Sequence, residues 1–253
     1  MKKGQTTIFI IIAIVIIVIA VFFVVLQQSK TNKFFSASEN QVLINNLKTQ
    51  VNYCIETSIM TSLEKIGDQG GYFEKPDYAY QNESISVSFL TYYYFEDKIL
   101  NPSKQQIETE LEKAFDSELK RCTDLVSIEG LNLKFRLLNP NVLINKNQVL
   151  FNPSLEVNIK SQRYAMNLNF NQEITKDSSL SDMIDLALFI SQYRKENPGF
   201  DCISCLAELS EEKNLYTEVY NFDESSVLVT IYENYTLNEQ YLVFLNKYGD
   251  ENE

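Results

Sequence analysis

Close to its N-terminus the chain has an unbroken stretch of apolar residues. Beyond it, apolar residues recur every four positions in some segments and every two positions in others. Nineteen apolar side chains run from Ile8 to Leu26. As a helix they span roughly 28 Å, close to the ~30 Å hydrocarbon thickness of a bilayer. The stretch exceeds the apolar core of about 7 to 15 residues in a secretory signal peptide, and no small-x-small cleavage site follows it. The pattern predicts a transmembrane helix over residues 5–27, embedded in the lipid bilayer.

A polar stalk at residues 28–39 leads into a region whose periodicity first indicates helix. Apolar residues recur every four positions from Leu43 to Leu63, which predicts an amphipathic helix that ends near Gly67 and the Gly70-Gly71 pair. Three later segments have helical spacing: Pro102–Cys122 with Asn101 as N-cap, Ser181–Glu196, and a short one at Asp201–Lys213. We expect Glu108, Glu110 and Glu112 to lie on a solvated face of the Pro102–Cys122 helix.

Alternation of apolar and polar residues, broken by turn residues, predicts the strands. In chain order they are Ile85–Phe95, Leu131–Leu138, Val142–Ile144, Val149–Phe151, Leu155–Lys160, Arg163–Ile174, Leu215–Phe222, Val227–Glu233 and Gln240–Lys247. The expected fold class is α+β, with the transmembrane helix continuing into an extracellular head of antiparallel sheet and packed helices. The head covers residues 40–250, with candidate sub-lobes at 40–125 and 126–250.

The distribution of charge predicts which side of the membrane the head occupies. Lys2 and Lys3 are the only charged side chains before Gln28, so the remainder holds 20 basic and 34 acidic residues and has a formal charge of −14. Positive charge stays in the cytoplasm, whereas acidic residues barely oppose translocation. We therefore expect a single-pass protein of the cell membrane with a cytoplasmic N-terminus and an extracellular C-terminal domain. Such an acidic domain argues against nucleic-acid binding.

The residues before the apolar stretch are more specific than a generic anchor. Lys2-Lys3-Gly4-Gln5-Thr6-Thr7, followed directly by the apolar run, resembles the class III signal peptide of archaeal type IV pilin-like proteins. The resemblance implies that a prepilin peptidase recognises Lys3, Gly4 and Gln5, cuts after Gly4 and removes residues 1–4 as a leader.

The resemblance also implies that the retained helix packs against other pilin-like subunits while the head faces outward. Thr7 matches the small hydroxyl residue that is common at the third mature position of the family. Phe9 stands where the family commonly has Glu, which favours a minor subunit or a processed monomer over a major pilin.

The chain contains no histidine and no tryptophan. Without histidine it lacks the usual general base near neutral pH, every Ser-His-Asp or Cys-His arrangement, and all imidazole metal ligands. The lone Gly70-Gly71 is not followed by the Lys-Ser/Thr of a phosphate loop. We therefore expect no catalysis, no cofactor and no metal.

The four cysteines are the most informative cluster of reactive residues. In an exported domain they suggest two disulfides, and we favour Cys54 with Cys122 and Cys202 with Cys205. Two alternatives stay open. One is a four-thiolate zinc site, and the other is dithiol redox chemistry at the Cys-x-x-Cys motif, because a helix start lowers a thiol pKa.

Two further features suit an outward-facing protein. Asn82 and Asn234 begin possible glycosylation sequons. A possible aromatic binding surface is formed by Tyr72, Tyr78, Tyr92 and Tyr94, but core and sheet packing is the favoured interpretation, because alternate residues of a strand point inward.

We therefore expect a type IV pilin-like, membrane-anchored subunit of the cell surface with a structural or adhesive role and no catalysis. The alternative is a membrane-anchored extracellular binding or sensor module for a peptide, glycan or cell-wall component. A third interpretation is an extracytoplasmic thiol oxidoreductase that uses Cys202 and Cys205.

Overall fold

The computed structural model of the protein describes residues 41–82, 87–138, 140–161, 165–197, 202–233 and 240–248. The chain divides into two compact units, Met1–Val51 and Asn52–Glu253. Residues 125 and 126, between which a sub-lobe boundary was predicted, therefore belong to one unit. The leader (1–4), the transmembrane helix (5–27) and the stalk (28–39) lie outside the described residues.

The structure contains four helices in the described part of the chain. The first, α1, is helical from residue 41 through residue 68 and covers the four-residue apolar repeat, as predicted. The others are α2 (Lys104–Thr123), α3 (Leu180–Glu196) and α4 (Ile203–Glu212). Helix α2 begins later than predicted because the Ser103 hydroxyl, not Asn101, accepts the Gln106 backbone N–H. Ser103 and Gln106 have the spacing of a capping box, a signal that the choice of Asn101 overlooked.

Twelve strands form three sheets among the described residues. The largest sheet has the order β1-β2-β12-β11-β10, with β3 also paired to β2. Its strands are β1 (Ala79–Tyr80), β2 (Leu90–Phe95), β3 (Lys98–Ile99), β10 (Leu215–Asn221), β11 (Ser226–Glu233) and β12 (Tyr241–Lys247). The last three strands form an antiparallel meander, and β12 then pairs with β2 in parallel.

The middle of the chain forms two three-stranded sheets, which are separate from the largest sheet. Their orders are β4-β7-β8 and β5-β6-β9. The strands are β4 (Asn132–Leu137), β5 (Asn141–Asn145), β6 (Gln148–Asn152), β7 (Leu155–Lys160), β8 (Ala165–Phe170) and β9 (Ile174–Asp177). The single strand predicted over Arg163–Ile174 is thus two strands, β8 and β9, which belong to different sheets.

The fold is α+β, but the predicted fold class is wrong in two respects. No helix in the described ranges is both long enough and apolar enough to cross a membrane, and the one predicted at 5–27 falls outside those ranges. The head is also not purely antiparallel, because β2 and β12 run parallel. The sequence pattern shows that each segment is a strand but does not reveal which distant strand it joins.

Helix α3 covers one face of the largest sheet and forms the main core there. Tyr93 stacks on Phe244 with ring centroids 4.2 Å apart. The buried members of this cluster are Tyr93, Met183, Leu186, Ala187, Ile190, Leu215, Val227, Val229, Ile231, Leu242 and Phe244. The apolar spacing of α3 thus matches the alternation of the meander, which fixes the register of both.

The C-terminal end of α1 is held against the largest sheet by glycines. Gly70 and Gly71 have positive φ values of 61° and 82°, and the Gly71 N–H donates to the Ile66 carbonyl at 2.7 Å. This is the six-to-one bond that ends many helices in a left-handed cap. The Thr91 hydroxyl then donates to the Gln69 carbonyl at 2.7 Å, which ties the helix end to β2.

Candidate functional site

All four cysteines form disulfides, as predicted, in the favoured pairing. Cys54 is bonded to Cys122 and Cys202 to Cys205. No thiolate is then left for the four-cysteine zinc site considered from the sequence. Cys202 is the N-cap of α4, where its sulfur accepts the Cys205 backbone N–H at 3.2 Å. The dithiol redox interpretation stays a prediction.

The structure does not bring the four predicted tyrosines onto one exposed surface. Tyr92 and Tyr94 are only 8% and 3% exposed. A bulge pairs Tyr92 with Leu245 but Tyr94 with the next residue of β12, so the two tyrosines face opposite sides of the sheet. The burial of both tyrosines fits core packing, the interpretation that the sequence favoured.

The other two predicted tyrosines lie near the beginning of the largest sheet. Tyr72 is half-buried, and its hydroxyl accepts a 3.4 Å hydrogen bond from the Gln106 side chain. Tyr78 is 41% exposed and packs against Phe95 at 5.4 Å between ring centroids.

The remaining predicted site residues are only partly described. Asn82 is exposed, and its side-chain amide donates to the Tyr80 hydroxyl at 3.0 Å. Asn234 and the processing residues Lys3, Gly4 and Gln5 lie outside the described residues. Glycosylation and processing therefore stay predictions.

We expected the acidic residues of α2 to form a solvated face. Instead, they accept hydrogen bonds from other parts of the fold. Glu108 and Glu112, one helical turn apart, accept the backbone N–H groups of Ile144 and Val142 at 2.8 and 3.1 Å. These residues belong to β5, which is an edge of its sheet. The helix carboxylates thus bind edge N–H groups that would otherwise lack a partner strand.

Glu110 is a buried carboxylate with a similar structural role. It accepts the backbone N–H groups of Phe73 and Glu74 at 2.9 and 3.0 Å and the Lys113 ammonium at 2.8 Å. Burial alone would raise the pKa of Glu110, but the hydrogen bonds from Glu74, Lys113 and Phe73 outweigh it and lower the pKa. The charged form therefore anchors the loop that follows α1.

The most exposed apolar surface of the largest sheet lies on its edge strand β10. Tyr216, Val219 and Tyr220 are 44%, 43% and 53% exposed. β10 pairs with β11 on one side, and no strand in the described part of the chain pairs with its other side. Proteins usually protect such an edge, because its free backbone groups can pair with another chain.

One face of β10 carries a cluster of aromatic and acidic side chains. The hydroxyls of Tyr220 and Tyr232 donate to the two oxygens of Glu218 at 2.7 and 2.8 Å. The Tyr216 ring stacks near the Tyr232 ring at 5.6 Å between centroids. The bonds to Tyr220 and Tyr232 lower the pKa of Glu218, and the bond to Glu218 raises the pKa of Tyr232 to about 12. The cluster, which we call the tyrosine–glutamate cluster, therefore presents a negative charge between aromatic rings.

The opposite face of β10 borders a groove beneath α4. The groove has a volume of about 580 Å³. It is lined by Leu206, Ala207, Ser210, Glu211, Leu215, Tyr216, Thr217 and Val219, so Tyr216 borders both the groove and the tyrosine–glutamate cluster. The Ser210 and Thr217 hydroxyls share a 2.8 Å hydrogen bond, and Glu211 adds a carboxylate to a lining that is otherwise mostly apolar. The Cys202–Cys205 disulfide closes the first turn of the helix that forms one wall.

The backbone of β10 is oriented so that alternate residues face outward. The Phe222 N–H donates to the Ser226 carbonyl at 2.9 Å, which makes this a hydrogen-bonded pair of the β10–β11 ladder. Such pairs alternate in an antiparallel ladder, so Tyr220 and Glu218 also bond inward. The N–H and C=O groups of Thr217, Val219 and Asn221 consequently point away from β11.

This site was missed from the sequence, where Leu215–Phe222 was only a closing strand. The alternation of Tyr216, Glu218 and Tyr220 was visible, but nothing in it showed that β10 would end the sheet. No group of three or more potential metal-binding residues occurs within the described ranges. No family of known proteins, no curated protein and no solved structure matches this chain.

Proposed function

We propose that this protein is a non-catalytic binding protein of the cell surface that engages a partner through the outer side of β10. The observation that carries the proposal is the combination of an unpaired edge strand, an adjoining groove and the tyrosine–glutamate cluster. Together they offer backbone hydrogen bonds, an apolar recess and a fixed charge within one short strand.

Two further observations support the location and the lack of catalysis. Both disulfides are of a kind that persists outside the reducing cytoplasm. The sequence has no histidine, which removes the commonest general base.

Site-specific photo-crosslinking in cells that produce the full-length chain tests the binding role. A photoreactive phenylalanine analogue replaces Tyr220 in one strain and Tyr53 in another. Tyr53 is a matched control because it is also an exposed tyrosine, at 67%, and lies on α1. We expect one discrete adduct from position 220 and none of the same mass from position 53. Equal adducts from both positions, or none from position 220, would contradict the proposal.

A pilin-like subunit is the second candidate, favoured by the Lys2–Thr7 sequence. It concerns residues that the structure does not describe, so its test is separate. Intact mass and N-terminal peptide mapping of the protein from its native cells distinguish the outcomes. A mature start at Gln5 supports prepilin-type processing, and an intact Met1 overturns it.

A further inference from the structure

We propose that β10 binds an extended segment of a partner protein as an added strand, and that this segment alternates apolar and basic side chains. The inference rests on the proposed binding role of β10 and names its ligand. Strand addition uses the main-chain groups of an exposed edge for affinity and side-chain pockets for specificity.

The outward backbone groups of β10 supply the first requirement. Thr217, Val219 and Asn221 alternate along the strand and direct their N–H and C=O groups away from β11, as the Phe222–Ser226 hydrogen bond establishes. Val219 is 43% exposed and Asn221 is exposed, so a partner can reach this part of the edge.

The two faces of β10 supply the second requirement, because they differ in chemistry. An added strand continues the pleat, so its side chains alternate between the same two faces. On one face they meet the largely apolar groove beneath α4, lined by Leu206 and Val219. On the other face they meet Glu218 between Tyr216 and Tyr220. The first environment selects aliphatic side chains, and the second selects Lys or Arg through charge and contact with aromatic faces.

Charge complementarity identifies the occupant as a basic segment, not a second copy of this chain. Glu211 lines the groove, Glu218 lies on the strand, and both are exposed. Lys213, a nearby basic residue, is already paired with Asp182 at 2.7 Å. Two copies meeting edge to edge would bring these carboxylates together, and each chain carries a formal charge of −12. A partner segment with Lys or Arg at alternate positions meets no such repulsion.

The test measures, by fluorescence anisotropy, the binding of a synthetic peptide of alternating Lys and Val to the full-length protein. Val219→Pro removes an outward N–H that β11 does not use, which an edge strand tolerates. Val219→Thr keeps the N–H and the branched shape, so it is the matched control. We expect Val219→Pro to weaken peptide binding at least tenfold and Val219→Thr to leave it within twofold. Glu218→Gln should weaken binding several-fold and reduce its dependence on salt.

Two peptide controls keep the proposal falsifiable if Val219→Pro does not fold. One peptide carries Glu in place of every Lys, and the other is N-methylated at two adjacent central residues, so that each of its edges loses a donor. We expect at least a tenfold loss for both with the unaltered protein. Equal binding of all three peptides would overturn strand addition.

The remaining outcomes separate this inference from the broader proposal. Absence of peptide binding together with a discrete adduct at position 220 would overturn the basic strand but retain the binding role. Absence of both would overturn the two together. Concentration-dependent dimers that Val219→Pro abolishes would identify a second copy as the occupant and would also overturn the basic partner.

Discussion

The α1–α2 helix pair and the α4–β10 edge each contain one disulfide, but the two disulfides constrain very different lengths of chain. Cys54 and Cys122 are 68 residues apart and join two helices, whereas Cys202 and Cys205 are 3 residues apart within one turn. In the chain-entropy model the first stabilises the fold by about 4 kcal/mol and the second by about 2 kcal/mol.

The two regions also differ in how far their side chains are buried and paired. Cys54 is 2% exposed, and close by on α2 the carboxylate of Glu118 is held by Lys65 and Arg121 at 2.5 and 2.6 Å. Along β10, by contrast, Leu215 is the one buried residue, and Tyr216, Val219 and Tyr220 are exposed. In the α1–α2 region the buried Glu118 carboxylate therefore has two internal partners, whereas the β10 region leaves an edge strand, a groove and a charge facing outward.

The largest expected effect comes from removing the long-range disulfide. Replacing Cys54 and Cys122 together with Ala should reduce the free energy of unfolding by about 4 kcal/mol, because the unfolded chain regains the entropy that the link removes. Replacing Cys202 and Cys205 with Ala should cost about 2 kcal/mol or less. Urea denaturation of the two double variants measures both. Equal losses would contradict the assignment of α1–α2 as the more constrained region.

Gly67→Ala should cost about 3 kcal/mol, because an added Cβ would collide with the Tyr241 carbonyl oxygen of β12. The predicted loss of stability is opposite to the usual effect, because a change from Gly to Ala inside a helix ordinarily stabilises a protein by about 1 kcal/mol. Thermal and urea unfolding provide the measurement. A stabilised variant would show that α1 and β12 are farther apart than the structure has them.

Glu118 on α2 links stability to pH. Burial raises the pKa of Glu118, but the hydrogen bonds from Lys65 and Arg121 outweigh it, so the pKa lies below the ordinary value of 4.5. The folded state therefore binds this proton less readily than the unfolded state. The resulting stability is fully present above about pH 4.5 and is lost as the pH falls through the lowered pKa of the folded state.

Glu118→Gln should remove that stability at neutral pH, at a cost of about 2 kcal/mol, since Lys65 and Arg121 lose a charged acceptor. Unfolding free energies measured from pH 7 to pH 3 provide the check. The difference between the variant and the unaltered protein should shrink as the pH falls. A difference that stays constant with pH would mean that packing, and not the carboxylate charge, causes the loss.

The sequence predicted most elements of the fold because their signals are local. The four-residue repeat of α1, the apolar face of α3 and the alternation of β11 each reflect one buried side. The parallel pairing of β2 with β12 could not be predicted, because the partners are about 150 residues apart and share no local signal. The opposite directions of Tyr92 and Tyr94 follow from a bulge that is created by that same pairing.

Local sequence patterns were also insufficient to predict the candidate site. Tyr216, Glu218 and Tyr220 were visible as an alternating strand, but their exposure depends on β10 being the last strand of the sheet. Glu108 and Glu112 were predicted to be solvated because the N–H groups that donate to them, those of Ile144 and Val142, lie on β5, about 30 residues farther along the chain. Both outcomes depend on which elements meet in space, which periodicity alone does not determine.

The smallest expected effect on stability is at Glu218, which is the counterpart of Glu118 in the exposed region. Glu218→Gln should leave the unfolding midpoint unchanged, because water can replace the carboxylate as a partner for Tyr220 and Tyr232. It should nevertheless lower the pKa of Tyr232 from about 12 towards the ordinary value of 10.0, since the bond to Glu218 is the main cause of the rise. The ¹³C shift of labelled tyrosine rings, followed from neutral to alkaline pH, measures this change. If Tyr232 titrates identically in both proteins, the tyrosine–glutamate cluster does not hold a fixed charge, and the recognition of basic side chains by β10 loses its physical basis.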